Sequence, residues 1–165
     1  MKIIFIGPPG SGKSSVGKEV AAILKLSHID TDQLIEEKSG KRISDIFLDD
    51  GEPAFRRMER EIVLEVLQQD NCVISLGGGS VIDSEVADKL RVEPNVIYLE
   101  VSISNAAPRV GFNAERPLLV ANPRQQWLKL MEDRKPIYEG LGRKRISTDN
   151  RKPREIAREI AGLLS

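Results

Sequence analysis

The sequence predicts an α/β protein, a three-layer α/β/α sandwich around a central five-stranded parallel sheet, and three observations predict it. Short apolar runs alternate with stretches whose apolar residues recur at helical spacing, the order expected of a parallel sheet covered on both faces. Gly7-Pro8-Pro9-Gly10-Ser11-Gly12-Lys13-Ser14 stands between the first apolar run and the first helical pattern. Asp30-Thr31-Asp32 and Gly77-Gly78-Gly79 each follow a later apolar run. All three motifs should therefore gather at the carboxyl edge of the sheet, where such folds bind ligands. A chain of 165 residues fits one domain over 1–165, long enough to bury about two thirds of its unfolded surface.

Ile3-Ile4-Phe5-Ile6 is the first expected strand. After the glycine-rich loop, Val16, Val20, Ile23 and Leu24 recur at helical spacing until about Lys25, and a short apolar stretch then leads to Asp30. A second helical pattern runs through Leu34, Ile35 and Lys38 to Gly40, and another from Ile43 to Leu48 breaks at Asp49-Asp50-Gly51. Pro53 suits the first turn of a longer helix with Phe55, Met58, Ile62, Val63 and Val66 on its apolar side. Val73-Ile74-Ser75-Leu76 reads as a strand, Asp83 as the N-cap of a helix reaching Leu90, and Asn95 to Val101 as the fourth strand. A helix starting near 102–104 should end early, because Pro108 stands just before Arg109. Residues 111–123 lack a sustained period and hold Arg116 at their centre, which fits a mobile lid. Pro123 opens a long helix containing Trp127, Leu128 and Met131 and reaching about Tyr138. Arg145 to Thr148 is the fifth strand, and Pro153 starts a final helix with Ile156, Ile160, Leu163 and Leu164 as its buried stripe.

The 25 Lys and Arg balance the 25 Asp and Glu, which argues against nucleic acid as a partner. Residues 109–154 are nonetheless basic, with 12 Lys and Arg against 5 Asp and Glu. Beside a phosphate-binding loop, that block suggests arginines meant for a nucleotide rather than a polyanion patch. Cys72 is the sole cysteine, so no intrachain disulfide can form, and its apolar neighbours suggest a small buried hydrophobe. The N-terminal apolar run is too short for a signal peptide or a membrane span. A cytoplasmic protein with no membrane partner is expected.

Gly7 to Ser14 fits the pattern G-x-x-x-x-G-K-[ST] at every specified position. Glycines let successive backbone N–H groups converge on phosphates, Lys13 adds a point charge, the Ser14 hydroxyl can ligate Mg²⁺, and the following helix aims its positive end at the anion. Asp30 and Asp32 follow the second strand. One carboxylate could hold Mg²⁺ while the other orients or deprotonates an attacking hydroxyl; equally, the pair could be an N-cap and a first-turn acid. Arg56 and Glu59 stand three apart on one predicted helix. Their local signal is that of a surface ion pair of little value, although such a partner could also fix a guanidinium for a ligand carboxylate.

Together these elements resemble the shikimate kinases, compact P-loop kinases of the aromatic amino acid pathway, from Ile3 to about Pro153. The pieces are the phosphate loop, Asp30-Thr31-Asp32, Gly51-Glu52 with Phe55-Arg56, Gly77-Gly78-Gly79, Arg116-Pro117-Leu118-Leu119 and Arg134-Lys135-Pro136-Ile137-Tyr138. The resemblance implies a fold like that of the nucleoside monophosphate kinases, with substrate-binding helices over about 31–60 and a lid over about 111–123. It implies ATP-dependent phosphorylation of the 3-hydroxyl of shikimate, giving shikimate 3-phosphate and ADP, with Mg²⁺ as cofactor and a monomer as the expected state. Gly10, Ser11, Gly12, Lys13, Ser14 and Ser15 would cradle the ATP phosphates, and Asp30 would reach the Ser14-bound Mg²⁺ through water.

On the same resemblance, Asp32 would bind the shikimate ring hydroxyls and serve as, or assist, the base. Arg56 and Arg134 would pair with the shikimate carboxylate, Glu59 orienting Arg56. The backbone of Gly78 and Gly79 would complete the pocket, and Phe55 would pack against the ring. Arg116 would close onto the phosphates, while Arg109 would lie against the adenine and Arg151 on its other side. The segment Gly111-Phe112-Asn113-Ala114-Glu115 departs from the pattern, with an aromatic and an acid where small polar residues are expected. The rival enzyme is another small P-loop kinase, acting on gluconate or a nucleoside monophosphate. A rival of another class is a non-catalytic ATP-binding switch, which would have no use for Asp32, Arg56 and Arg134.

Overall fold

The computed structural model describes residues 1–110 and 123–164. Its strands are β1 (Lys2–Ile6), β2 (Ser27–Asp30), β3 (Cys72–Ser75), β4 (Val96–Glu100) and β5 (Lys144–Ser147). They form one parallel sheet in the order β2-β3-β1-β4-β5. Ser75 is paired with Phe5 on one side and Asp30 on the other. That register brings the ends of β1, β2 and β3 level, so the phosphate loop, Asp30 and the triple glycine leave the sheet side by side.

Alternation along β1 divides the core. Ile3 and Phe5 face a cluster built from α1 (Lys13–Leu24) and α8 (Pro153–Leu164), through Val16, Val20, Ile156 and Ile160. Ile4 and Ile6 face the opposite cluster, which holds Ile35 of α2 (Thr31–Ser39), Ile46 of α3 (Ile43–Asp49) and Val63 of α4 (Glu52–Val66). Leu90 of α5 (Ser84–Arg91) and Tyr138 of α7 (Pro123–Leu141) complete it. Both faces of every central strand are buried, which is why the strands read as continuous apolar runs rather than alternating ones. Cys72 is buried and free, as its apolar neighbours suggested. No helix among the described residues is long and apolar enough to cross a membrane.

The helix boundaries follow their local chemistry. Asp30 caps α2 by accepting from Gln33 N at 3.1 Å, and Asp83 caps α5 by accepting from Glu85 N and Val86 N at 3.0 and 3.1 Å. Pro53 lies in the first turn of α4, where its missing N–H costs nothing.

Two expectations need correction. The helix before residue 111 does not end early: α6 (Ile103–Val110) runs through Pro108. Both of its ends are held from outside, Ser102 N by Asp149 Oδ1 at 2.9 Å and Arg109 by Thr148, which offsets the hydrogen bond that proline cannot make. A short 3-10 turn at Ser80–Ile82, absent from the sequence reading, connects the triple glycine to α5. Arg116 and the expected lid, up to residue 122, lie outside the described residues.

Candidate active site

The phosphate loop is stretched between β1 and α1. A Cβ on Gly7 would lie 2.6 Å from the Leu99 carbonyl oxygen of β4 and 3.0 Å from Ser11 Oγ, so close packing against the next strand requires glycine there. Gly12 is the N-cap of α1, left-handed at φ 88°. No side chain caps that helix and no acid stands in its first turn, which leaves its N–H groups and positive dipole end for an anionic ligand. Lys13 Nζ donates to Gly7 O at 2.8 Å and Pro8 O at 3.0 Å, holding the ammonium over the loop. Ser11 is buried, whereas Ser15 is exposed.

Arg109 and Arg151 lie around the end of β5. Arg109 Nη1 donates to Gly10 O at 3.0 Å and Thr148 Oγ1 at 3.1 Å, and its Nη2 donates to Thr148 O at 3.1 Å. The guanidinium thus bridges the loop rim to the β5 end. Arg151 Nη1 donates to Ser147 O at 3.1 Å, and the same side chain pairs with Glu159.

Ser14 Oγ donates to Asp30 Oδ2, while the other Asp30 oxygen caps α2. The N-cap reading of Asp30 is met by one oxygen, which leaves the other facing Ser14. A hydroxyl and a carboxylate in contact beside the phosphate loop suit a hard cation that takes its other ligands from water and phosphate. Ser14 and Asp30 fit Mg²⁺ on that chemistry.

On the far side of the glycine turn, Arg56 Nη1 donates to Glu59 Oε1 at 2.7 Å and its Nε lies 3.5 Å from Glu52 Oε1. Glu59 is only 3% exposed, so the surface ion pair that local spacing favoured is replaced by a buried carboxylate aiming a partly exposed guanidinium. Burial pushes the Glu59 carboxyl up, and Arg56 pulls it back down. The Asp32 charge pushes in the same direction as burial, which places the two carboxylates within electrostatic reach.

The triple glycine explains itself here. A Cβ on Gly77 would come within 3.0 Å of Glu59 Oε2 and 3.3 Å of Asp32 Cγ, and one on Gly79 would lie 2.7 Å from Arg56 Cζ. None of the three has positive φ, so at Gly77 and Gly79 it is the neighbouring side chains, not turn geometry, that disfavour a larger residue.

Phe55 differs from its expected place against a substrate ring. It is fully buried, with its ring 4.8 Å from that of Phe47 and the Arg56 guanidinium 5.2 Å over it. Its surface is taken up by protein, and it forms the floor beneath Arg56. Arg134, 5% exposed, sits one turn before Tyr138 on α7. Residues at that spacing share a helix face, and Tyr138 Oη donates to Gly78 O at 2.6 Å.

Sequence reasoning missed three supporting side chains. Trp127 Nε1 donates to Pro9 O at 3.0 Å, and nothing in its helical pattern distinguishes it from a core residue. Ser75 Oγ donates to Lys13 O at 2.8 Å and lies 2.9 Å from His28 Nε2. Burial holds the His28 imidazole below its ordinary pKa, with the Asp30 charge working the other way. A polar serine inside the continuous apolar run of β3 was the available signal.

The family model for shikimate kinase matches residues 9–165. The chain is 40% identical to the shikimate kinase of Rhodococcus jostii over 165 residues, covering 99% of this chain and 98% of that protein. It is 44% identical to that of Thermobifida fusca over 158 residues, covering 96% and 91%. Among solved structures, the shikimate kinase from Acinetobacter baumannii in complex with shikimate superposes with a TM-score of 0.95 at 32% identity, covering 99% of this chain and 92% of that one. With its phosphate loop, paired aspartates and an Arg56 held by the buried Glu59 at one sheet edge, the chain belongs to the shikimate kinase family.

Proposed function

We propose that this protein transfers the terminal phosphoryl group of ATP to the 3-hydroxyl of shikimate, giving shikimate 3-phosphate and ADP. The observation that carries the reading is the Arg56–Glu59 pair pressed against Gly79, with Asp32 against Gly77 in the same turn. A guanidinium held by a buried carboxylate is a receptor for a ligand carboxylate, and an adjacent Asp is a receptor for ligand hydroxyls. Shikimate carries both kinds of group.

Phosphoryl transfer needs little covalent help, so positioning and charge neutralisation do most of the work. The N–H groups of the loop from Gly10 to Ser15 and the Lys13 ammonium receive the ATP phosphates. Lys13 exchanges its contacts with Gly7 O and Pro8 O for phosphate oxygens as the nucleotide enters. Arg56 and Arg134 pair with the shikimate carboxylate, while the Gly78 and Gly79 backbone closes the pocket. Asp32 accepts a hydrogen bond from the 3-hydroxyl and takes up or steers its proton. Ser14 and Asp30 would hold Mg²⁺, Asp30 through water, and the cation would supply neutralisation of developing phosphate charge. Arg109 and Arg151 flank the nucleotide at the β5 end. The protein works in the cytoplasm as a monomer.

The test is ADP release with Mg-ATP and, separately, shikimate, gluconate, AMP or no acceptor. Shikimate-dependent turnover is expected. Turnover with another acceptor alone would overturn the substrate assignment, and nucleotide binding without turnover would favour a switch.

A further inference from the structure

Two ring-bearing side chains of α7 touch backbone on opposite halves of the site. Trp127 Nε1 donates to Pro9 O of the phosphate loop, and Tyr138 Oη donates to Gly78 O of the glycine turn. The two targets are themselves neighbours, since a Cβ on Gly78 would lie 3.1 Å from Pro9 Cδ. Trp127 is buried with Val101 and Ala106 at the foot of α6, the helix that carries Arg109, and Tyr138 is stacked on Tyr98 of β4 at 5.3 Å. Each ring is thus fixed to the scaffold at its apolar body and to the site at its polar tip.

We infer that α7 is the strut that sets the nucleotide loop against the acceptor turn, with Trp127 and Tyr138 as positioning residues for the two half-sites. Neither touches a reacting atom. In-line transfer tolerates little error in the distance between donor phosphate and acceptor hydroxyl, and these two bonds are where one helix grips both sides. The two tips grip different half-sites, so releasing one loosens that half-site and leaves the other held. A role in packing alone would disturb both together. The inference rests on assigning ATP to the loop and shikimate to the turn.

Tyr138→Phe deletes one hydroxyl and keeps the ring, whereas Trp127→Phe deletes the indole N–H and also trims the buried bicyclic ring to a single one. Trp127→Phe should raise KM for ATP about two- to tenfold, the scale of one neutral hydrogen bond, with KM for shikimate unchanged. Tyr138→Phe should do the reverse. Parallel changes in both constants, or none, would overturn the assignment. Because Trp127 is the only tryptophan, fluorescence gives a readout that does not depend on any acceptor. ADP added to the wild-type or Tyr138→Phe protein should shift the emission, and a flat titration at ADP concentrations that equilibrium dialysis shows to saturate would remove Trp127 from the nucleotide side. Wild-type turnover with shikimate, measured alongside, separates failure of the strut from failure of the substrate assignment.

Discussion

Arg56 occupies the space that a side chain on residue 79 would need. A Cβ there would lie 2.7 Å from both Cζ and Nη2 of the guanidinium, while Nη1 is held by the buried Glu59. Gly79→Ala must therefore push the guanidinium out of the position Glu59 gives it. KM for shikimate should rise about ten- to a hundredfold, the scale of losing charge-assisted hydrogen bonds. ADP affinity should not change, since Gly79 stands on the acceptor side. Equal losses for both ligands would mean that the glycine serves the whole site and not Arg56.

Glu59 ties the same pair to pH. Burial raises its carboxyl above the ordinary value of 4.5, against the opposing pull of Arg56. A carboxyl whose folded pKa is raised contributes stability that is fully present below its unfolded pKa and is lost as pH rises through the folded value. Wild-type stability should accordingly carry a downward slope from about pH 4.5 upward that Glu59→Gln lacks. Urea unfolding of both proteins across that range measures it, and identical slopes would assign the pH dependence to other groups. The same variant should raise KM for shikimate, because a neutral amide holds Arg56 less firmly.

Much of this site was legible before the structure, and the reason is local. The phosphate loop is a contiguous string whose residue types follow from backbone approach to an anion, and Asp30 and Asp32 stand next to a recognisable strand end. The role of Glu59 was not legible, since its i, i+3 spacing from Arg56 is the same whether the pair faces water or the core. Only the packing of α4 beneath the glycine turn decides that. The helical stripe put Phe55 on the apolar side of α4, where it lies, and its place against a substrate ring came only from the resemblance. Trp127 and Tyr138 reach backbone carbonyls more than fifty residues away in sequence, and no periodicity encodes such partners. Pro108 misled because the ties that keep α6 intact come from Thr148 and Asp149, on the far side of β5.

The contact between Ser14 and Asp30 yields a metal test with a built-in control. Asp30→Asn keeps an oxygen to cap α2, since Asn and Asp cap about equally well, so the helix should stay in place. It removes the charge that faces Ser14. The Mg²⁺ concentration needed for half-maximal ADP release should rise in both Asp30→Asn and Ser14→Ala, with thermal unfolding little changed. An unaltered Mg²⁺ requirement in both variants would take the cation away from this pair.

Asp32 separates binding from chemistry. Its carboxylate lies against Gly77 and acts electrostatically on Glu59, in the glycine turn proposed to receive the acceptor. Asp32→Asn keeps the shape that Gly77 accommodates and deletes only the charge and the basicity. Phosphoryl transfer should fall about a hundredfold or more, the range seen when a positioned general base is lost. ADP binding, read by equilibrium dialysis, should stay near the wild-type value. The neutral amide also takes one negative charge away from Glu59, so the Glu59 carboxyl should titrate lower in the variant than in the wild type, a shift that carboxyl carbon NMR can follow. If nucleotide affinity collapsed while transfer with saturating ATP survived, the carboxylate would belong to the phosphate side, and the acceptor pocket would need another base.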